Sequence, residues 1–162
     1  MVTPIKSMKW NDYPFGNVTQ KFAEHPELYS SMCYPDVGCM QGHNGVDIVS
    51  PWGTPILAVC SQRVVEVEES IKGYGKHVRA IGMVDGNIRE FIYGHLSRID
   101  CVLGDNLLEG QQLGLMGNTG FVVSGATPYW TYNPYAGTHL HFGMKELGVW
   151  TGKGDFTSYG EG

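Results

Sequence analysis

The chain has 162 residues, enough for one domain with a substantial core and short for two. Hydrophobic residues make up 42% and charged residues 17%, and the 23 glycines are about twice the usual ~7% share. That composition excludes disorder and suits folded β-structure with many tight turns, while a net charge of −5 with no Lys/Arg cluster longer than two argues against a nucleic-acid partner or an acidic lipid surface.

Residues 1–14 carry little pattern and read as an N-terminal extension, without the apolar run of a signal peptide. Residues 18–22 have strand composition. Residues 23–32 suit one short helix, interrupted early by Pro26. Residues 33–45 form a loop by composition. From Val46 the chain turns strand-like: 46–49, 54–59 and 63–69, the last with good alternation. Residues 76–81 and 88–93 flank Asp85-Gly86, a strong hairpin signal. A further short strand covers 111–116, and the last runs over 138–144. Residues 148–162 read as a tail. Short strands at short spacing, with no helical periodicity, predict a mainly β, single antiparallel domain over 15–147. No apolar run reaches the ~20 residues that span a membrane, so membrane insertion is not expected.

The four cysteines, Cys33, Cys39, Cys60 and Cys101, lack the CxxC pairs of a structural zinc knuckle. Cys33 and Cys39 are close enough in sequence to close a small disulfide loop. Four free thiols is the simpler expectation, and the redox compartment stays open.

Three of the six histidines stand in unusual company. His139 and His141 occupy i and i+2 of a strand-like run, so both side chains leave one face while Leu140 and Phe142 enter the core. His43 and Asp47 lie four apart at a loop-to-strand junction. Two imidazoles and one carboxylate make a three-ligand site with a fourth position for water, the pattern of catalytic zinc. His95, in Tyr93-Gly94-His95-Leu96, ends a predicted strand and can reach the same face. HxxxD alone is a weak signal and HxH a moderate one; together they carry more weight. A non-haem iron oxygenase also uses two His and one carboxylate, but favours HxD spacing.

The surrounding residues extend the pattern. Gly42-His43-Asn44-Gly45-Val46-Asp47-Ile48, Pro51-Trp52-Gly53-Thr54-Pro55, Gly73-Tyr74-Gly75-Lys76, Tyr93-Gly94-His95-Leu96, Gly117-Asn118-Thr119-Gly120 and Thr138-His139-Leu140-His141-Phe142 follow in order. From about Val18 to Lys145 the chain resembles the lysostaphin-type, or LytM-like, zinc endopeptidases that cut peptidoglycan. The resemblance implies an antiparallel sheet with a groove over it and one Zn²⁺ per chain held by His43, Asp47 and His141. It implies His139 and His95 as uncoordinated catalytic histidines, peptidoglycan peptides as substrate, and a monomer. It also implies a setting at the cell wall, extracellular or periplasmic, or in a phage-associated lytic protein. Non-catalytic members that bind wall or activate an amidase are the alternative; such members usually lose metal ligands, and this chain keeps them.

No HExxH motif supplies a glutamate base, so a histidine must take the proton of the attacking water. His139 suits that role and His95 suits orienting the water or meeting the oxyanion, with the two roles exchangeable. Tyr34 is a further candidate for the oxyanion, against a plain loop tyrosine. His25 and His77 match no motif and read as structural or surface. A departure from the family pattern is the segment 121–137, where a few small residues are usual. Its Tyr129, Trp130 and Tyr132 are candidate substrate-binding residues if it walls the groove; a self-packed surface loop is the other reading.

Overall fold

The computed structural model describes residues 1–7, 18–20, 22–34, 38–40, 42–124, 127–146 and 149–150. In chain order the elements are β1 (Val18–Gln20), α1 (Pro26–Tyr29), β2 (Cys33–Tyr34), β3 (Gly38–Cys39), β4 (Val46–Ile48), β5 (Pro55–Leu57) and β6 (Gln62–Glu69). They continue with β7 (Lys76–Val84), β8 (Asn87–Ile99), β9 (Asn106–Leu107), β10 (Gln112–Met116), β11 (Val123–Ser124), β12 (Thr127–Pro128), a 3-10 turn (Tyr129–Thr131), β13 (Leu140–Glu146) and β14 (Val149–Trp150). One antiparallel sheet runs in the order β1-β4-β13-β8-β7-β6-β9, with β10 bridging β5 and β8. The mainly β, antiparallel expectation holds. Among the described residues no helix is long and apolar enough to cross a membrane.

Alternation along β13 decides the two faces. Leu140, Phe142 and Met144 enter the core, where Phe142 meets the rings of Phe91 at 6.1 Å and Tyr93 at 5.4 Å. His141 leaves the opposite face, as period two requires. The β7–β8 hairpin closes through Asp85 (φ 52°) and Gly86 (φ 77°), both in the left-handed region that a two-residue turn between right-twisted strands needs.

Several boundaries differ from the sequence reading. Residues 33–45 are not wholly a loop: β2 pairs with β3, and Cys33 and Cys39, directly opposite in that pairing, form a disulfide. The expectation of four free thiols is therefore corrected; Cys60 and Cys101 are the free, buried pair. Burial pushes the Cys101 thiol up to about 11. Val149–Trp150, read as tail, pairs back on β13, and residues 151–162 lie outside the described residues. Residues 1–5 pack against the sheet. The Val2 amide donates to the Val59 carbonyl at 2.7 Å, the Leu57 amide to the Pro4 carbonyl at 2.8 Å, and Ile5 is fully buried.

The Tyr93 hydroxyl is a buried polar node that accepts from the Val59 amide at 3.2 Å and the Gln62 side-chain amide at 3.0 Å. Tyr93→Phe leaves both donors buried without a partner. The expected loss is about 1–3 kcal/mol, seen as a lower midpoint in urea unfolding at an unchanged slope. An unchanged midpoint would mean that the node contributes nothing.

Candidate metal centre

β4 and β13 are neighbours, and their register sets His141 directly opposite Asp47. His43 precedes β4 and is tied to the segment before α1: the Ala23 amide donates to its carbonyl at 2.7 Å, and its own amide donates to the Glu24 carbonyl at 2.9 Å. The result is a triangle of three atoms. His43 Nε2, Asp47 Oδ1 and His141 Nδ1 lie 3.1 Å from one another on every edge. His43 and His141 are buried, and the Asp47 side chain is 14% exposed.

This triangle fits zinc better than it fits hydrogen bonds. An imidazole N–H lies in its ring plane and serves one direction, so three equal edges cannot all be bridged by protons. Ligand atoms of tetrahedral zinc, with bonds of about 2.0–2.2 Å, stand roughly 3.3 Å apart. Burial alone would raise the Asp47 carboxyl, but hydrogen bonds from His141 and His43 hold it well below the usual carboxylate range. Burial lowers His141 against the opposing pull of Asp47.

Gly45 explains the tightness of the segment between His43 and Asp47. A Cβ there would sit 2.5 Å from the Phe142 carbonyl oxygen and 2.8 Å from His141 Nε2, so any side chain would displace the β13 histidine.

The other two histidines stand beside the triangle. The ring centroids of His95 and His139 are 4.7 Å apart, and His95 is 6.1 Å from His141. His95 does not end its strand, as the sequence suggested: β8 continues to Ile99. Between Tyr93 and Leu96 the pairing with β7 shifts, and His95 takes φ 61°. This bulge re-aims one side chain, a device common beside functional sites. It is held from below, because the His95 amide donates to the Tyr74 carbonyl at 2.7 Å and His95 Nδ1 donates to the Thr119 carbonyl at 2.7 Å. Gly75 and Gly120 let the two supporting loops cross backbone to backbone, since a Cβ on either would fall within 2.4 Å of the other segment. His139 Nδ1 donates to the Gly137 carbonyl at 2.8 Å, and its Nε2 is 3.6 Å from Asp47 Oδ2. Both histidines thus have Nδ1–H committed to a carbonyl and present Nε2. Burial holds His95 well below its ordinary value, which keeps it neutral.

The remaining candidates fall elsewhere. Tyr34 lies in β2, and its side chain is outside the described residues. Trp130 donates from Nε1 to the Gly120 carbonyl at 3.2 Å, tying the 121–137 segment to the His95 support. Tyr129 and Tyr132 contact each other at 5.9 Å, and Tyr132 is 58% exposed. The buried Asn118 anchors the same segment through the Asn133 and Ala136 carbonyls. His77 is structural: it bridges the Gly75 carbonyl and Glu66 at 2.8 Å each. Residues without an assigned role in the sequence reading also border the cluster. Tyr29 packs on His43 at 5.6 Å, while Tyr74 packs on His141 at 5.1 Å and accepts from Asn44. Tyr74 was visible in its Gly-Tyr-Gly turn, but nothing in the turn says that its ring reaches a metal-site histidine.

The antiparallel sheet thus carries a largely buried His-Asp-His cluster able to hold a metal ion, with two further histidines alongside. The sequence profile described as Peptidase family M23 matches residues 41–153, and the chain belongs to that family. Lysostaphin of Staphylococcus simulans is 38% identical over 100 residues, 62% of this chain and 17% of that one. The peptidoglycan DD-endopeptidase ShyA of Vibrio cholerae is 33% identical over 100 residues, 62% of this chain and 19% of that one. The chain therefore spans less than a fifth of these relatives. Among solved structures, a catalytic-domain variant of the prophage-encoded M23 protein EnpA of Enterococcus faecalis superposes with a TM-score of 0.58 at 29% identity. That match covers 86% of this chain and 88% of that one.

Proposed function

We propose that this chain is a zinc-dependent endopeptidase that hydrolyses peptide bonds in peptidoglycan stem peptides or cross-bridges. The observation that carries the reading is the convergence of His43 Nε2, Asp47 Oδ1 and His141 Nδ1 at 3.1 Å. These three residues would hold one zinc per chain. Zinc held there supplies the positive charge that makes water a nucleophile near neutral pH. Similarity to a peptidoglycan DD-endopeptidase and to a glycyl-glycine endopeptidase supports the substrate class. The proposed domain takes in residues 1–5 and Val149–Trp150, which pack on the sheet, as well as the 15–147 span expected from the sequence, and the setting is the bacterial cell wall.

His139 is the proposed base. Its Nε2 lone pair takes the proton of the water, and the resulting N–H then donates to the developing oxyanion or the leaving amine. His95 is neutral with Nδ1–H already engaged, so its Nε2 accepts a hydrogen bond and orients the water. The oxyanion contact that the sequence also allowed for His95 passes to His139 for that reason.

The test is digestion of several defined peptidoglycans by zinc-loaded protein, with fragments identified by mass spectrometry. New amino termini within the peptide portion are expected, abolished by a chelator and restored by zinc. Release of no fragment, or release indifferent to the chelator, overturns the reading.

The 121–137 segment is proposed to wall the groove through its exposed aromatic rings. Replacing it with a few small residues is expected to change the ranking of peptidoglycans cleaved while zinc content stays near one per chain. An unchanged ranking would make it a passive surface loop.

A further inference from the structure

Beyond Tyr74, on the same face of the sheet as the metal cluster, lies an open surface depression of about 700 Å³. Its walls and floor differ in character. The walls are apolar, supplied by Met32, the Tyr74 ring and the half-exposed Phe121 at the start of the 121–137 segment. The floor is charged and comes from β6 and β7. A register shift between Val64 and Glu66 turns Val67 into the core and leaves Glu66 and Glu68 on the cavity side.

The charges on this floor are unequally engaged. Arg79 lies 3.5 Å from Glu66 and 3.1 Å from Glu90, so its positive charge meets two carboxylates. Glu66 also binds His77 at 2.8 Å. Glu68 and Lys72, both exposed at the cavity, lie outside this network and carry opposite charges, so Glu68 is the carboxylate left to meet an incoming cation. An open depression with apolar sides and carboxylates on its floor matches an alkyl stem that ends in an ammonium, because such a side chain lays its methylenes on apolar surface and keeps its charge paired. An oligoglycine bridge offers neither feature.

Resting on the proposed endopeptidase reading, we infer that this cavity is a specificity subsite for the alkylammonium side chain of a diamino acid in the peptide substrate, with Glu68 as its counter-ion. Tyr74 joins the subsite to the metal cluster, since the same ring packs on His141 at 5.1 Å and stands 5.7 Å from the Arg79 guanidinium. The ammonium has two chemical sources, a lysine-type side chain or a diaminopimelate-type one that adds a carboxylate on the same carbon. Lys72, also lining the cavity, suits that carboxylate.

The experiment uses a synthetic peptide that spans the bond cleaved in the peptidoglycan digest, with its diamino-acid amine either free or acetylated. We expect kcat/KM for the free amine to exceed that for the acetylated peptide about tenfold, and Glu68→Lys to bring the ratio to one or below. The exposure of Glu68 makes both Glu68→Lys and Glu68→Gln tolerable to the fold. Calorimetric titration of metal-depleted protein with the same two peptides should show the same preference in binding. A ratio near one for the unaltered chain, or a tenfold ratio that survives Glu68→Lys, overturns the subsite. Discrimination in binding without any hydrolysis would instead remove the endopeptidase reading and leave the subsite standing. Lysine-type and diaminopimelate-type peptides run as separate arms. A gain from the extra carboxylate that disappears in Lys72→Ala names the second source, and equal use of both names the shared ammonium alone.

Discussion

Replacing His43 or His141 with alanine is expected to reduce zinc from about one per chain to near none and to remove peptidoglycan hydrolysis with it. The size of the effect follows from the triangle. Loss of an outer-shell partner alone typically costs about 10–100-fold in metal affinity. Loss of a ligand removes one of only three protein bonds and should cost more. Asp47→Ala should behave alike, because its Oδ1 closes two of the three edges. Elemental analysis after gel filtration is the direct measurement. If His139→Ala loses zinc while His141→Ala keeps it, the ligand assignment is reversed.

His139→Ala and His95→Ala should part company with that set. Both should keep zinc near one per chain, since a fourth protein ligand would close a catalytic site. Turnover should fall by about 10²–10⁴ for the base and about as much at the lower end for the orienting residue. His139→Ala should alter stability little, since His139 lies just before β13 and keeps partial contact with solvent. His95 is buried, and its removal leaves the Thr119 carbonyl without its donor, so a modest stability loss should accompany the loss of rate. Zinc content and kcat measured on the same samples separate these effects. Full activity in both variants on a verified substrate would end the mechanism proposed for them.

What was legible from the residues divides along local and non-local lines. Parity within one strand is local, so the shared face of His139 and His141, and the burial of Leu140 and Phe142, followed from a period of two. Asp85-Gly86 fixed its hairpin for the same reason, as only residues tolerant of positive φ make that turn. Composition could not show that Val2 and Pro4 hydrogen-bond to the sheet or that Val149 and Trp150 return to β13. Those contacts depend on edges that the rest of the fold leaves available. The disulfide was equally hidden, because spacing allows a bridge and only the β2–β3 register brings Cys33 opposite Cys39.

By itself the sequence determined the fold class, the chain's likeness to a zinc peptidase family and the set of residues with ligand chemistry. These rest on patterns of period two, turn chemistry and motif order that are written locally. The tertiary structure alone decided that three ligand atoms meet on 3.1 Å edges and that a bulge turns His95 from a strand terminus into a presented imidazole. It also decided that Tyr74 links the cluster to a charged cavity. The physical reason is separation along the chain: His43 and His141 are 98 residues apart, and only the pairing of β4 with β13 converts that distance into a contact.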